Sequence, residues 1–313
     1  MNLSTVNTSE ADTLGFGYVA SYHENIIFAT FYILIFIIAV PGNSLALWAF
    51  FHQESTSPSK VFLRHLSIAD ISYVLILPMR IVYHLSDGHW PFGHVVCKLA
   101  GFLFYLNLYC SMYLMSFISL DRFLAVVLPI KSQLVRKAVY AKVVVGILWV
   151  MIIVSMTPVL FSKDNENDNS TSSCDKLYLE KTSPMALVST IVAFVLPLTT
   201  IVVSYILILL KLRAVRQQEE RPVKQKATKL IILVLVNFLL AFVPYHVSRV
   251  IYIKSHIDDL VSARNHESLK IATRITSALT CVSGVLDPVM YFFLNNAYRV
   301  KLLQLFCKKR DDL

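Results

Sequence analysis

The chain has 313 residues, of which 56% are hydrophobic and 16% charged, with a mean hydropathy of +0.61. That balance excludes an ordinary soluble globule, where about a quarter of residues are charged. A formal net charge of +9 would suit nucleic acid, but the basic residues are scattered over short loops between apolar runs. Nucleic acid is therefore not an expected partner.

At about 20 apolar residues per membrane crossing, the sequence predicts spans near 26–51, 60–85, 96–127, 139–161, 184–212, 226–254 and 271–294. The expected fold is an all-α membrane protein, a seven-transmembrane-helix bundle with a short amphipathic cytoplasmic helix 8. Residues 1–25 form an extracellular N-terminal segment, 26–294 the bundle, and 295–313 the amphipathic helix and tail. The start of the chain has no basic segment followed by a small-residue cleavage site, so the first span is expected to act as an uncleaved signal anchor. Orientation follows from Lys and Arg. Residues 1–25 hold neither, whereas 131–142, 211–229 and 299–310 are rich in both. The positive-inside rule then places the N-terminus outside, with the basic loops against anionic lipid. Three sequons, at Asn2, Asn7 and Asn169, fall on the outer side as glycosylation candidates.

Along the chain, nearly every span carries a residue that lipid alone would not select: Asn43 after Pro41-Gly42, Asp70 in the second, Trp149 in the fourth, Pro197 in the fifth, Pro244 in the sixth, and Asp287-Pro288 in the seventh. Proline inside a helix frees a carbonyl and kinks the chain. The two acids are costlier still unless paired, protonated or cation-bound. With Ser111 and Asn43, they suggest an oxygen-lined site for an allosteric sodium ion; no other cofactor is expected. The alternative is one neutral carboxyl held by hydrogen bonds. The third span ends on Asp121-Arg122-Phe123, where the acid should hold the arginine at the inner end. Cys97 and Cys174 fall outside, where disulfides persist. Cys110 and Cys281 lie within spans and read as small hydrophobes. Cys307 follows the amphipathic stretch and is a palmitoylation candidate.

Gly42-Asn43, Leu66 to Asp70, Cys97 with Cys174, Asp121-Arg122-Phe123, Trp149, Pro197 with Tyr205, Phe238 to Pro244 and Asp287-Pro288-Val-Met-Tyr291 together resemble the rhodopsin-like (class A) G-protein-coupled receptors. The likeness runs from about Asn25 to Cys307. Phe123 stands where relatives commonly have tyrosine, Phe242 where they have tryptophan, Ala241 for cysteine and Asp287 for asparagine. These departures are similar to the purinergic/cysteinyl-leukotriene branch, as are Val82-Tyr83-His84, His89 to Gly93, Gly101 to Asn107 and Pro244 to Arg249. A second external disulfide, common in that branch, has no cysteines to form it here.

The resemblance implies a ligand pocket in the outer thirds of the helices, a Cys97–Cys174 bond and G-protein coupling, with Gi favoured, at the inner end. Arg80, Arg249 and Arg274 stand at the outer end with Tyr83, Tyr105, Tyr109, Tyr245, His246 and Ser277, walled by Phe104 and Leu108. Guanidinium groups grip carboxylate or phosphate bidentately, so the expected ligand is anionic: a uracil nucleotide, a leukotriene-like lipid or another lipid acid. The competing assignment for these arginines is snorkelling, or pairing with Asp175, Asp258 or Asp259. At the inner end, Tyr205 and Tyr291 are expected to swing toward Arg122 on activation. Lys224 occupies the place where relatives hold an acid facing that arginine, so appreciable basal signalling is expected. The tail after Cys307 has no serine or threonine; tail-mediated arrestin binding should be weak, leaving Ser132 and Thr228 as internal sites. A self-filled, constitutive receptor is the nearest alternative. An ion or solute transporter would show internal repeats, and none is visible. No nucleophile–base or metal-spaced constellation suggests an enzyme.

Overall fold

The computed structural model describes residues 8–52, 57–161, 174, 182–214, 229, 231–257, 263–294, 298–300 and 302–304, with side chains from Tyr22 onward except at 214, 263–267, 293 and 294. Seven helices among them are long and apolar enough to cross a membrane. They are α1 (Thr8–Phe51), α2 (Pro58–Leu85), α3 (Gly93–Val127), α4 (Ala138–Phe161), α5 (Pro184–Ala214), α6 (Ile231–Ile257) and α7 (Ala263–Leu279 with Val282–Leu294). Only helices satisfy every backbone group within one segment in lipid, and no strand occurs among the described residues. Their outer faces carry exposed Ile27, Ile37, Val154, Met185 and Val203, the composition that acyl chains demand.

Helix α1 begins at Thr8, far before residue 26, although its strongly apolar portion is Tyr22–Phe51. Hydropathy marks where lipid begins, not where helix begins. Likewise α7 starts at Ala263, ahead of the apolar run.

Helix α3, about 52 Å long at 1.5 Å per residue, runs through the centre and packs on α2, α4 and α5, while α1 closes the bundle against α2 and α7. Gly42 permits the α1–α7 approach: a Cβ there would lie 2.8 Å from Pro288 Cγ.

Interruptions in α2, α6 and α7 tilt residues toward the core. In α2 the regular ladder breaks after Val74, with Ile76 N–H donating to Tyr73 O at 3.0 Å, and restarts at Leu77-Pro78. In α6 a π-turn covers Phe238–Phe242, immediately before Pro244, whose ring clashes with the carbonyl four residues back in a regular helix. In α7, three-residue bonds from Cys281, Ser283 and Gly284 tighten the chain around Thr280–Cys281. Beyond α7, residues 298–300 and 302–304 are helical, and buried Tyr298 packs edge-on against Tyr291 at 6.0 Å. Cys97 and Cys174 are bonded, with Cα atoms 5.7 Å apart.

Candidate functional site

At the outer end, Arg80 is the largest fully buried side chain among the described residues. It stands one turn beyond the α2 break, which turns it inward. Its Nη1 donates to Tyr32 Oη at 3.1 Å, and its guanidinium lies 4.7 Å from the Phe104 ring centre and 5.7 Å from those of Tyr32 and Tyr73. An aromatic cage of this kind partly replaces water around a cation. Arg80 therefore does not snorkel to the interface. Buried Arg249 lies 5.6 Å over Tyr252 and acts electrostatically on Tyr105, Tyr109 and Tyr245. Tyr245 feels Arg80 as well, so the fields of both guanidinium groups reach one phenol. Tyr245 Oη donates to Tyr105 Oη at 3.2 Å.

His246, one position along α6, bonds through Nδ1 to Phe242 O at 2.8 Å and stacks on Phe194 at 4.5 Å. With Nδ1–H donated to that carbonyl, Nε2 is an acceptor. It is buried without a hydrogen-bond partner, as is Ser277 Oγ. Such atoms usually have a partner, so both are suited to meet a ligand or water. Phe104 and Leu108 are buried wall residues, Tyr109 is half-buried and stacked near Tyr105, and Tyr83 packs beside Trp90. Arg274 differs. It is 38% exposed and reaches Glu24 at 4.0 Å across the α1–α7 seam, at the rim rather than inside. Asp175, Asp258 and Asp259 lie outside the described residues.

Midway down, Asp70 and Asp287 are both buried and touch one another. Asp70 accepts from Asn107 Nδ2 at 3.2 Å and Tyr291 Oη at 3.1 Å; Asp287 accepts from Asn237 Nδ2 at 2.8 Å. Asn107 also donates to Ser111 Oγ at 3.3 Å. Asn43 does not join the acids: it donates to Ala39 O and Gly284 O, tying α1 to the irregular turn of α7. Tyr291 belongs to this acid cluster, a full layer above Arg122. Sequence reasoning overlooked Asn107 and Asn237. The four-residue spacing of Asn107 and Ser111 was the available signal for the first.

At the inner end, buried Asp121 is a shared acceptor. It receives Arg122 Nη2 at 2.5 Å, Arg136 Nε at 2.9 Å and the Ser59 hydroxyl, while Arg122 Nη2 also donates to Ser59 Oγ. Ser59 and Arg136 were not singled out by sequence. Phe123 points away, lining a groove between α3 and α5 with Leu120, Thr200, Ser204 and Leu207. Half-buried Tyr205 sits on α5, and Phe238, Phe242 and Pro244 form the α6 π-turn region. Ser132 is buried, its hydroxyl donating to Leu124 O at 3.0 Å, which withdraws it from kinase access. Lys224, Thr228, Cys307 and the sequons Asn2, Asn7 and Asn169 lie outside the described residues.

A bundle with buried guanidinium groups at its outer end, a buried acid pair and a restrained inner arginine suits signal transfer. Residues 42–291 match the family described as 7 transmembrane receptor (rhodopsin family). The chain belongs to that family. It is 48% identical over 288 residues to the human (Homo sapiens) uracil nucleotide/cysteinyl leukotriene receptor, covering 92% of this chain and 78% of that one. The Rattus norvegicus receptor of the same name is 47% identical over 92% of this chain and 85% of its own. A purinoceptor of Rattus norvegicus is 33% identical over 87% of this chain and 74% of its own. The chain is thus a multi-pass membrane receptor of the purinergic and leukotriene branch, not an enzyme.

Proposed function

We propose that this receptor lies in the plasma membrane with its N-terminus outside, binds an anionic small molecule in its outer cavity and activates heterotrimeric G proteins, Gi foremost. The ligand class is a uracil nucleotide or a cysteinyl leukotriene-like lipid acid. The observation that carries this reading is the pair Arg80 and Arg249, two buried guanidinium groups whose fields both reach Tyr245. The relatives named for uracil nucleotides and cysteinyl leukotrienes support the same class. Arg249 would grip the anion, Tyr105, oriented by the Tyr245 hydroxyl, would donate to it, and His246 Nε2 and Ser277 Oγ would meet its neutral polar groups. Arg80, already engaged by Tyr32, contributes field and shape.

Direct binding of labelled uracil nucleotide, cysteinyl leukotriene and lysophospholipid to wild type and Arg249→Ala tests the reading. One anionic class should bind, and the variant should weaken it about tenfold or more, as expected for a charged hydrogen bond of about 1.5–3 kcal/mol. Equal binding to both proteins, or none of the three classes binding, overturns it.

The acid pair fits a sodium ion by its oxygens, since hard cations take carboxylate and hydroxyl ligands. Asp70, Ser111 and Asp287 would hold it, and it would offset one of the pair's two negative charges and favour the resting state. In that case sodium lowers basal exchange in wild type, and Asp287→Asn is insensitive to it.

A further inference from the structure

A cavity opens at the inner end between α2, α3, α4 and the loop joining α3 to α4. It measures about 270 Å³ and is lined by Phe62, Phe117, Val135, Tyr140 and Val144, with Arg136, Lys137 and Asp121 as its charged lining residues. We propose that this groove binds an anionic phospholipid of the cytoplasmic leaflet, its acyl chain along the apolar wall and its phosphate at Arg136 and Lys137.

Charge and hydropathy together specify the occupant. Val135, Tyr140 and Val144 are exposed apolar side chains, which are stable only beside hydrocarbon. Residues 129–145 hold Lys131, Arg136, Lys137 and Lys142 and no acid, and the first turn of α4 has no acidic residue to oppose its helix dipole. Basic residues next to a span attract anionic headgroups, and with the positive-inside orientation this rim faces the anionic leaflet. A soluble anion would gain nothing from the apolar wall, so the lipid is favoured over free phosphate.

The position gives the site a consequence. Arg136 and Asp121 both line the groove, and the Arg136 guanidinium donates to Asp121 from Nε at 2.9 Å. A headgroup phosphate competes for the same donors. When Arg136 turns to lipid, Asp121 loses one of its two cations and holds Arg122 and Ser59 more completely. Anionic lipid thereby tightens the resting state, whatever ligand the outer pocket takes.

The test places Tyr140→Trp as a reporter in the full-length receptor, reconstituted in phosphatidylcholine bilayers containing either brominated phosphatidylserine or an equal fraction of brominated phosphatidylcholine. The signal from native Trp48, Trp90 and Trp149 is subtracted using the receptor without the reporter. Brominated phosphatidylserine should quench the reporter more strongly than brominated phosphatidylcholine. Adding Lys137→Gln, or Val144→Phe to fill the groove, should reduce quenching to the phosphatidylcholine level. Equal quenching by the two lipids overturns the proposal and marks bulk lipid alone. A phosphatidylserine preference that survives both variants overturns it equally, because the preference then arises elsewhere.

Discussion

Removing one hydroxyl, Ser59→Ala, should raise ligand-independent signalling. Ser59 is the second residue of α2 and bridges the inner pair, donating to Asp121 and accepting from Arg122. Each such bond to a charged group is worth about 1.5–3 kcal/mol when desolvated. Arg122 is 23% exposed, so water replaces part of the loss, and Asp121 keeps Arg122 and Arg136 as partners. The two bonds together should then stabilise the resting arrangement by about 1.5 kcal/mol, the lower end of that range. Activation requires Arg122 to leave this site, so the loss falls on the resting state alone. About 1.4 kcal/mol is a tenfold change in a two-state equilibrium, so an active state populated at about 3 per cent would rise to about a quarter. Basal GTPγS exchange on Gi, measured at matched surface density, should increase about tenfold at most, while Ser59→Thr, which keeps the hydroxyl, should stay near wild type. Unchanged or reduced exchange in Ser59→Ala would refute the idea that this bridge restrains Arg122.

Three further outcomes follow from the same physics. Gly42→Ala places a Cβ 2.8 Å from Pro288 Cγ, so α1 must shift. Overpacking of this kind costs about 1–3 kcal/mol and should lower the thermal midpoint of the purified receptor; an unchanged midpoint would show that the α1–α7 seam is slack. Cys97→Ala opens a 77-residue separation, and the chain-entropy relation gives about 4 kcal/mol for a loop of that length. Surface delivery should fall sharply, and delivery equal to wild type counts against a structural role. Lys224→Glu adds an acid where the chain has a base, so any ligand-independent exchange should drop; no change would refute the expectation that Lys224 raises it.

The spans were legible because lipid imposes one demand, about 20 apolar residues, that composition reports directly. Their interruptions were less so. Pro78 hinted at the α2 break, but the Phe238–Phe242 π-turn leaves the apolar pattern of α6 intact, and the tight turn at Thr280–Cys281 has no proline or glycine at its centre. At the sites, acids and arginines stood out as costly in lipid, whereas their neutral partners did not. Ser59 meets Asp121 across 62 positions, and Asn237 meets Asp287 across 50. Serine and asparagine draw no notice in a membrane helix until the fold brings them to a charge. Arg136 was masked in another way: residues 131–142, 211–229 and 299–310 are all basic, and only packing shows which cation reaches Asp121.

If a guanidinium-lined outer cavity is linked to a releasable arginine at the inner end, ligand must drive nucleotide exchange through Arg122. GTPγS exchange on purified Gi reads that link, driven by whichever anionic ligand binds, with wild type and Arg122→Glu reconstituted at equal density. Wild type should be stimulated, Arg249→Ala should need a higher ligand concentration, and Arg122→Glu should lose exchange while ligand binding persists. Undiminished exchange through Arg122→Glu would contradict the link.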